Sequence, residues 1–182
     1  MPTLVNQSFF VRDINLPNLT GAGVEEINSF IDMYEPECLI KVLGYPLYKL
    51  FGTESSARMT DLLSGAEYID ELGNLQKWKG LVHDTNISLI AYYIYYFHQQ
   101  KNATKTTGVS TAVMKTEASI SVSPMDKMIR AWNLFSAEVS QLISFLWMKK
   151  DAITGDRTYP EFTAHQYLVT KNLSRTINSF NI

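Results

Sequence analysis

A single cysteine, Cys38, stands in a chain of 182 residues, so no internal disulfide can form and a disulfide-stapled secreted scaffold is excluded. It follows Glu37 in an apolar, helical context and reads as a small buried hydrophobe rather than a nucleophile. Charge is scarce too: 19% of residues are Asp, Glu, Lys or Arg, against roughly 25% in an average soluble chain. A net charge of -2 removes the strongly basic nucleic-acid binder as the default reading. The most apolar run, 87–97, covers about half of the ~20 residues a membrane-spanning helix needs. The amino terminus has neither a basic start nor a long apolar core, so no signal peptide is read there. The chain is expected to be made and kept in a reducing cytoplasm.

Catalytic signatures are missing as well. His83, His98 and His165 fall in no HExxH or other metal-ligand spacing, and no cysteine pair accompanies them. There is no phosphate loop, no GxGxxG and no GxSxG elbow. Glu35 with Glu37, and Asp70 with Glu71, are pairs of acids, but such close neighbours in sequence point to different faces and are commonly just solvated. His83-Asp84 reads as capping at a helix start. No catalytic residue, cofactor or metal ligand is assigned, and no enzyme activity is expected.

What is present is apolar and aromatic. The residues are 46% hydrophobic and 12% aromatic, a composition that suits a surface much covered by other protein and equally a large buried core. One domain of mainly α class is expected: a compact helical bundle with a small β-hairpin, an extended loop, and extended arms at both ends. Residues 1–23 read as an N-terminal arm, punctuated by Pro, Asn and Gly around a short apolar stretch, 9–14. A helix begins near Val24, with Ile27, Phe30, Ile31 and Tyr34 on one face, and Pro36 is expected to interrupt or kink it. A second segment runs to a stop at Gly44, followed by further helical turns over 45–52. A short helix over 56–63 and a hairpin turning at Gly73-Asn74 come next. A strong helix from Leu81 to about Lys101 then carries Ile87, Ile90, Ala91, Ile94 and Phe97, with tyrosines round the remainder. A helix apolar nearly all round is buried on more than one side.

Residues 102–122 change character, turning Thr-, Ser- and Gly-rich and then alternating in a strand-like way, and read as a projecting loop or hairpin. Ser123-Pro124 opens the last long helix. Met125, Met128, Trp132, Phe135, Val139, Leu142 and Leu146 form a lengthwise seam along it. Residues 151–182 read as an extended polar tail, with a short strand at 166–169. The expected core comprises Ile27, Phe30, Leu39, Leu43, Ile90, Ile94, Trp132, Phe135 and Val139. Both ends are expected to be mobile until assembly, leaving a stable 24–150 unit. Residues 1–83 carry a net charge of -5 and residues 84–182 a net of +3. That asymmetry fits head-to-tail contact between copies or a basic face near an anionic partner, and chance gives it equally well.

The run from Phe30 to Tyr48, with its acidic helix before Leu43-Gly44-Tyr45-Pro46-Leu47-Tyr48, is followed by a short helix. Then come the turn region ending in Trp78-Lys79-Gly80-Leu81, the helix Ala91-Tyr92-Tyr93-Ile94-Tyr95-Tyr96, the Thr/Gly loop, and a closing helix with Ala131-Trp132-Asn133. In this order the chain resembles, over about residues 24–150, the head–tail connector (adaptor, or neck-ring) proteins of tailed bacteriophages. The branch is that of phages and prophages of gut Bacteroidetes, crAss-like phages included. The resemblance implies a virion structural protein, typically twelve copies in a closed ring beneath the portal protein. The ring would continue the channel for genomic DNA, contacted without sequence specificity, and offer a platform to downstream neck or tail proteins. No membrane and no cofactor is implied, and the family has no catalytic residues to carry over. Lys101, Lys105 and Lys115 are the candidates for facing DNA, although three lysines over such a stretch are also ordinary for a soluble loop. Met114, Ile120, Val122, Tyr92, Tyr95 and Tyr96 are the candidates for contact between copies. The alternatives are a tail-completion or stopper protein, or a ligand-binding helical protein or enzyme with a pocket near Tyr92, Tyr95 and Trp132, served by His98, Gln99 and Asn133.

Overall fold

The tyrosine-rich helix of the sequence packs against both of the other long helices. The computed structural model describes residues 3–16, 21–51, 53–83, 85–106, 111–113 and 124–178, and its described residues are mainly helical. Helices α1 (Ala22–Leu43), α4 (Leu89–Ala103) and α5 (Pro124–Met148) form the body. Along α4, Ile90, Ala91, Tyr93, Ile94 and Tyr95 are all buried, as expected of a helix apolar on every side. Helix α5 lies along α4, and α1 packs on it as well. Of the expected core, Ile27, Phe30, Leu39, Leu43, Ile90, Ile94, Phe135 and Val139 are buried, while Trp132 is only partly so.

Helix α1 runs through Pro36 without a break, so of the expected interruption or kink the interruption does not occur. Proline inside a helix costs about 3 kcal/mol. Ile27 and Ile31 before it, and Leu39 and Val42 after it, are buried, and each such side chain returns about 1.5–3 kcal/mol. The helix ends at Gly44, whose N–H still bonds the Ile40 carbonyl at 2.9 Å and whose φ of +79° then turns the chain out of the helix. Helix α2 (Tyr45–Leu50) starts directly from this corner, and α3 (Ala57–Ser64) follows.

The expected hairpin is present as β1 (Ala66–Ile69) paired antiparallel with β2 (Leu75–Trp78), in register Ile69↔Leu75 and Ala66↔Trp78. Its turn is one residue earlier than Gly73-Asn74. Glu71-Leu72-Gly73 form a three-residue loop, with Gly73 N–H on the Asp70 carbonyl, Gly73 at φ +82° and Asp70 N–H on the Asn74 carbonyl. This is a type I turn closed by a left-handed glycine. Helix α4 starts at Leu89, not Leu81. Residues 81–83 bond outside any helix, Leu81 N–H to Leu62 O and His83 N–H to Ile87 O. Ser88 caps the helix by accepting from Ile90 N–H at 3.1 Å; of the expected His83-Asp84 pair, Asp84 lies outside the described residues. A second small ladder joins β3 (Thr104–Thr106) to β4 (Thr111–Val113). Beyond it, residues 114–123 lie outside the described residues.

Neither end is an independent arm. Val5, Phe9, Phe10 and Ile14 are buried in the core, and the buried Glu35 carboxylate accepts from Leu4 N–H at 2.8 Å and Val5 N–H at 3.0 Å. The expected strand at 166–169 is instead part of α6 (Ala164–Leu173). Thr163 caps it, Oγ1 accepting from Gln166 N–H at 3.3 Å. Gln166 donates to the Lys41 carbonyl at 2.9 Å and Thr170 to that of Val42 at 3.1 Å. These are the carbonyls that a helix end leaves unpaired. Before α6, Tyr159 and Phe162 are fully buried. The extended-tail expectation fails because the polar sequence hides these few well-placed anchors.

Phe145 joins the hairpin, α5 and the C-terminal segment, packing on Trp78 at 5.8 Å, Tyr68 at 5.6 Å and Tyr159 at 5.4 Å. Next to it, Arg58 holds Glu54 at 2.6 Å and Glu161 at 3.0 Å and donates to the Thr158 carbonyl.

Phe145→Ala is expected to cost about 3–5 kcal/mol in denaturant unfolding, and Trp132→Ala less, because Trp132 is already partly solvated; the reverse order would refute this packing. Limited proteolysis of the isolated chain should leave 151–173 attached to the body, and release of α6 under native conditions would contradict its docking. The hydrogen bond from Arg58, and then that from Ser56, holds the Glu54 carboxyl down at about 2. A lowered folded pKa contributes stability above the unfolded value that is lost as pH falls toward the folded one. Between pH 4.5 and about 2 the acid-side slope of stability should therefore be shallower in Glu54→Gln, and identical slopes would count against this junction.

Candidate functional site

The residues that carry chemistry are each taken up by the fold. The Cys38 thiol is fully buried, and desolvation pushes its pKa up, the opposite of an activated nucleophile. Glu35 and Glu37 diverge as expected. Glu35 turns inward to the N-terminal backbone, where burial raises its pKa against the lowering effect of those two N–H groups. Glu37 accepts from Lys41 Nζ at 2.6 Å and from Tyr93 OH at 3.0 Å, which ties α1 to α4. Asp70 accepts from the N–H groups of Asn74 and Leu72 and from the Gln76 amide. Led by the Asn74 bond, these lower its pKa, so it is a turn-former. Desolvation lowers the pKa of His98, whose ring packs edge-on against Phe30 at 5.2 Å. Among the described residues no group of His, Cys, Asp and Glu could hold a metal ion, and no helix is long and apolar enough to cross a membrane.

Of the three residues expected to share a pocket, Tyr92 lines a small one of about 70 Å³, but Tyr95 and Trp132 are not among its lining residues. Tyr92 and Tyr95 are buried in the core. Trp132 donates to the Arg175 carbonyl at 3.0 Å, and Asn133 clasps the Ile177 backbone through bonds of 2.9 and 3.2 Å. Tyr95 is 1% exposed, while Tyr92 keeps 9% of its surface and lines that small pocket with Phe9 and Ile14. Tyr96 is partly covered by Trp132 at 5.1 Å. Of the lysines, Lys101 is exposed, 3.5 Å from Glu26 and over the Phe30 ring at 4.8 Å. The Lys105 side chain, and Lys115, Met114, Ile120 and Val122 altogether, lie outside the described residues.

What the sequence did not disclose is a surface feature on the hairpin. Its core face buries Tyr68 and Trp78, yet the other face also carries apolar side chains. Ile69 is 54% and its partner Leu75 63% exposed, with Leu72 at the tip 86% exposed. Beside β1 runs a groove of about 710 Å³, lined by residues 67–71 on one wall and by Trp147–Ala152, Gly155 and Arg157 on the other. Glu67, Asp70 and Glu71 make the hairpin wall acidic; Lys149, Lys150 and Arg157 make the facing wall largely basic. Arg157 stacks on Trp147 at 4.0 Å, and Ile153 stands 95% exposed in the turn that carries that wall. A second apolar set lies on other elements: Tyr45 on α2, with Leu168 and Val169 on α6. The signal that could have found the first set is the strand Ala66-Glu67-Tyr68-Ile69, in which the alternation expected of a one-sided strand fails at Ile69.

The groove thus combines a backbone edge, apolar tips and two opposed lines of charge. Comparison with models of protein families, with curated proteins and with solved structures finds no match.

Proposed function

We propose that this chain is a virion structural protein of a tailed phage. It forms a closed ring of about a dozen copies that joins the portal to the neck or tail and continues the DNA channel. The observation that supports the reading best is the presence of two different sets of exposed apolar side chains. One is Ile69, Leu72, Leu75 and Ile153; the other is Tyr45, Leu168 and Val169. A head-to-tail interface brings unlike patches together, whereas a two-fold dimer needs only one self-complementary patch. The acidic first half and basic second half of the sequence fit the same geometry. Ring formation repeats each lysine once per copy, so Lys101, Lys105 and Lys115 would form a positive collar that holds DNA without reading it.

Native mass spectrometry and negative-stain imaging of the purified chain, alone and with a portal protein from the same genome, test the reading. Rings of about a dozen that bind the portal are expected; a monomer carrying a co-purified small molecule would sink it. A variant with Lys101, Lys105 and Lys115 all changed to Glu should still form rings while virions retain less DNA, and normal DNA retention would remove the collar.

A further inference from the structure

We propose that the groove between β1 and the turn after α5 docks one extended strand of a different protein. The strand pairs antiparallel with Ile69, carries acidic side chains inward and carries basic side chains outward. Such a site serves the chain whether or not it forms a ring.

Two unsatisfied features meet in this groove, and the first is a backbone edge. Asp70 N–H bonds to the Asn74 carbonyl across the hairpin ladder. Bonded and unbonded positions alternate in an antiparallel pair. Ala66 and Tyr68 therefore bond to β2, while Glu67 and Ile69 turn their N–H and C=O groups away from it. Lys149 agrees with this register, its Nζ donating to the Glu67 carbonyl at 2.8 Å from the opposite wall. The N–H and C=O of Ile69 have no partner among the described residues. An open edge of this kind is a template for another strand, and Lys149 sets where that strand must end.

The second feature is charge left unpaired. Glu67 and Glu71 stand on the hairpin wall, and Lys150 and Arg157 stand on the facing one. None of the four side chains has an ion-pair partner among the described residues. Arg157 lies over Trp147 and gives one bond to the Phe162 carbonyl at 2.7 Å, and its Nε–H has no acceptor. The other two acids of the lining are already engaged: Asp70 and Asp151 hold the N–H groups of their own turns.

Strand geometry decides how the free charges are met, because side chains alternate between the two faces. Tyr68 points to the face that packs on Phe145 of α5. On that side the helix end supplies Trp147, with Arg157 stacked on it. Glu67 and Ile69 point to the solvent face. A residue paired with Ile69 shares its face, so an apolar side chain fits there. The neighbours of that residue turn inward toward Trp147, Lys150 and Arg157, where carboxylates find charge-assisted donors. The residues beyond them return to the solvent face near Glu67 and Glu71, where lysine fits. The recognised order is basic, acidic, apolar, acidic, basic. Backbone bonds supply affinity and the alternating side chains supply selectivity. The volume of about 710 Å³ lies within the range of about 300–1,000 Å³ usual for binding clefts. The strand lies beside Leu72 and Leu75, not over them, which leaves those side chains to a neighbouring copy.

The probe is an acetylated and amidated peptide, Thr-Lys-Glu-Val-Glu-Lys-Thr. Its control is Thr-Glu-Lys-Val-Lys-Glu-Thr, of the same composition and net charge. Titrated into the isotope-labelled full chain, the first peptide should shift the amide resonances of 67–71 and 147–157 and slow exchange of the Ile69 amide. The control should bind about tenfold more weakly. A methyl group on the valine nitrogen of the first peptide removes one backbone bond and should also cost about tenfold. Ile69→Pro deletes the facing N–H at an edge position that tolerates proline, and should weaken binding to the same degree. Lys150→Glu, at an exposed side chain, should erase the preference between the two peptides. No saturation by the first peptide at about 1 mM overturns the proposal. Equal binding of the two peptides, or indifference to the methyl group, overturns it as well, and neither result depends on a variant folding. Rings that dissolve when the first peptide is added place a neighbouring copy in the groove, which overturns the proposal and leaves the ring reading standing. Selective peptide binding by a chain that stays monomeric supports the proposal and removes the ring reading.

Discussion

A helix that is apolar on every side cannot rest on a single neighbour, and α4 imposes that demand on the rest of the chain. Ile90, Ala91, Tyr93, Ile94 and Tyr95 leave it almost no face for water. Helix α5 covers it along its length and α1 crosses it. The rings of Tyr34 and Phe97 stack at 4.7 Å where α1 and α4 meet, and Tyr93 packs on Phe135 of α5 at 5.3 Å. Because tyrosines carry hydroxyls into this environment, each buried one needs a partner. Tyr93 finds Glu37 and Lys41, and those bonds fix how α1 lies across α4.

Long-range polar contacts then bring the two ends of the sequence into the same body. The Glu35 carboxylate serves the N-terminal backbone, and Gln166 and Thr170 close the end of α1 from more than a hundred residues away. A buried carboxylate that accepts two N–H groups loses less by desolvation than an unpaired one. Capping across the fold has a similar logic, since carbonyls at the end of a packed helix need donors that water supplies poorly there.

Much of this was legible in the sequence because it is written in short-range periodicity. The apolar spacing of 27–34, the stop at Gly44, the hairpin ahead of Trp78 and the Pro124 helix start all depend on residues within a few positions of one another. What escaped depended on distant partners. Residues 164–173 carry almost no apolar stripe, and only Thr170 is fully buried there, so the 3.6-residue period is missing. The start Thr163-Ala164-His165-Gln166 did carry a capping pattern. Trp132 looked like core by spacing, but it is only partly covered although Met128 and Phe135 on either side of it in the seam are buried. The groove was invisible for a different reason: β1 and the turn after α5 are far apart in sequence, and no local pattern encodes their proximity.

The placement of Cys38 has a consequence for the chain's chemistry over time. A thiol that meets no solvent neither exchanges with disulfides nor climbs the ladder of sulfur oxides at an appreciable rate, and its position inside α1 opens only when the body does. The one thiol of the folded molecule is therefore inert, although the exposed Met33 and Met125 remain open to oxidation. The chain can leave reducing surroundings for oxidising ones without acquiring covalent links, and the lifetime of its thiol there is governed by how often the chain unfolds rather than by the oxidant it meets.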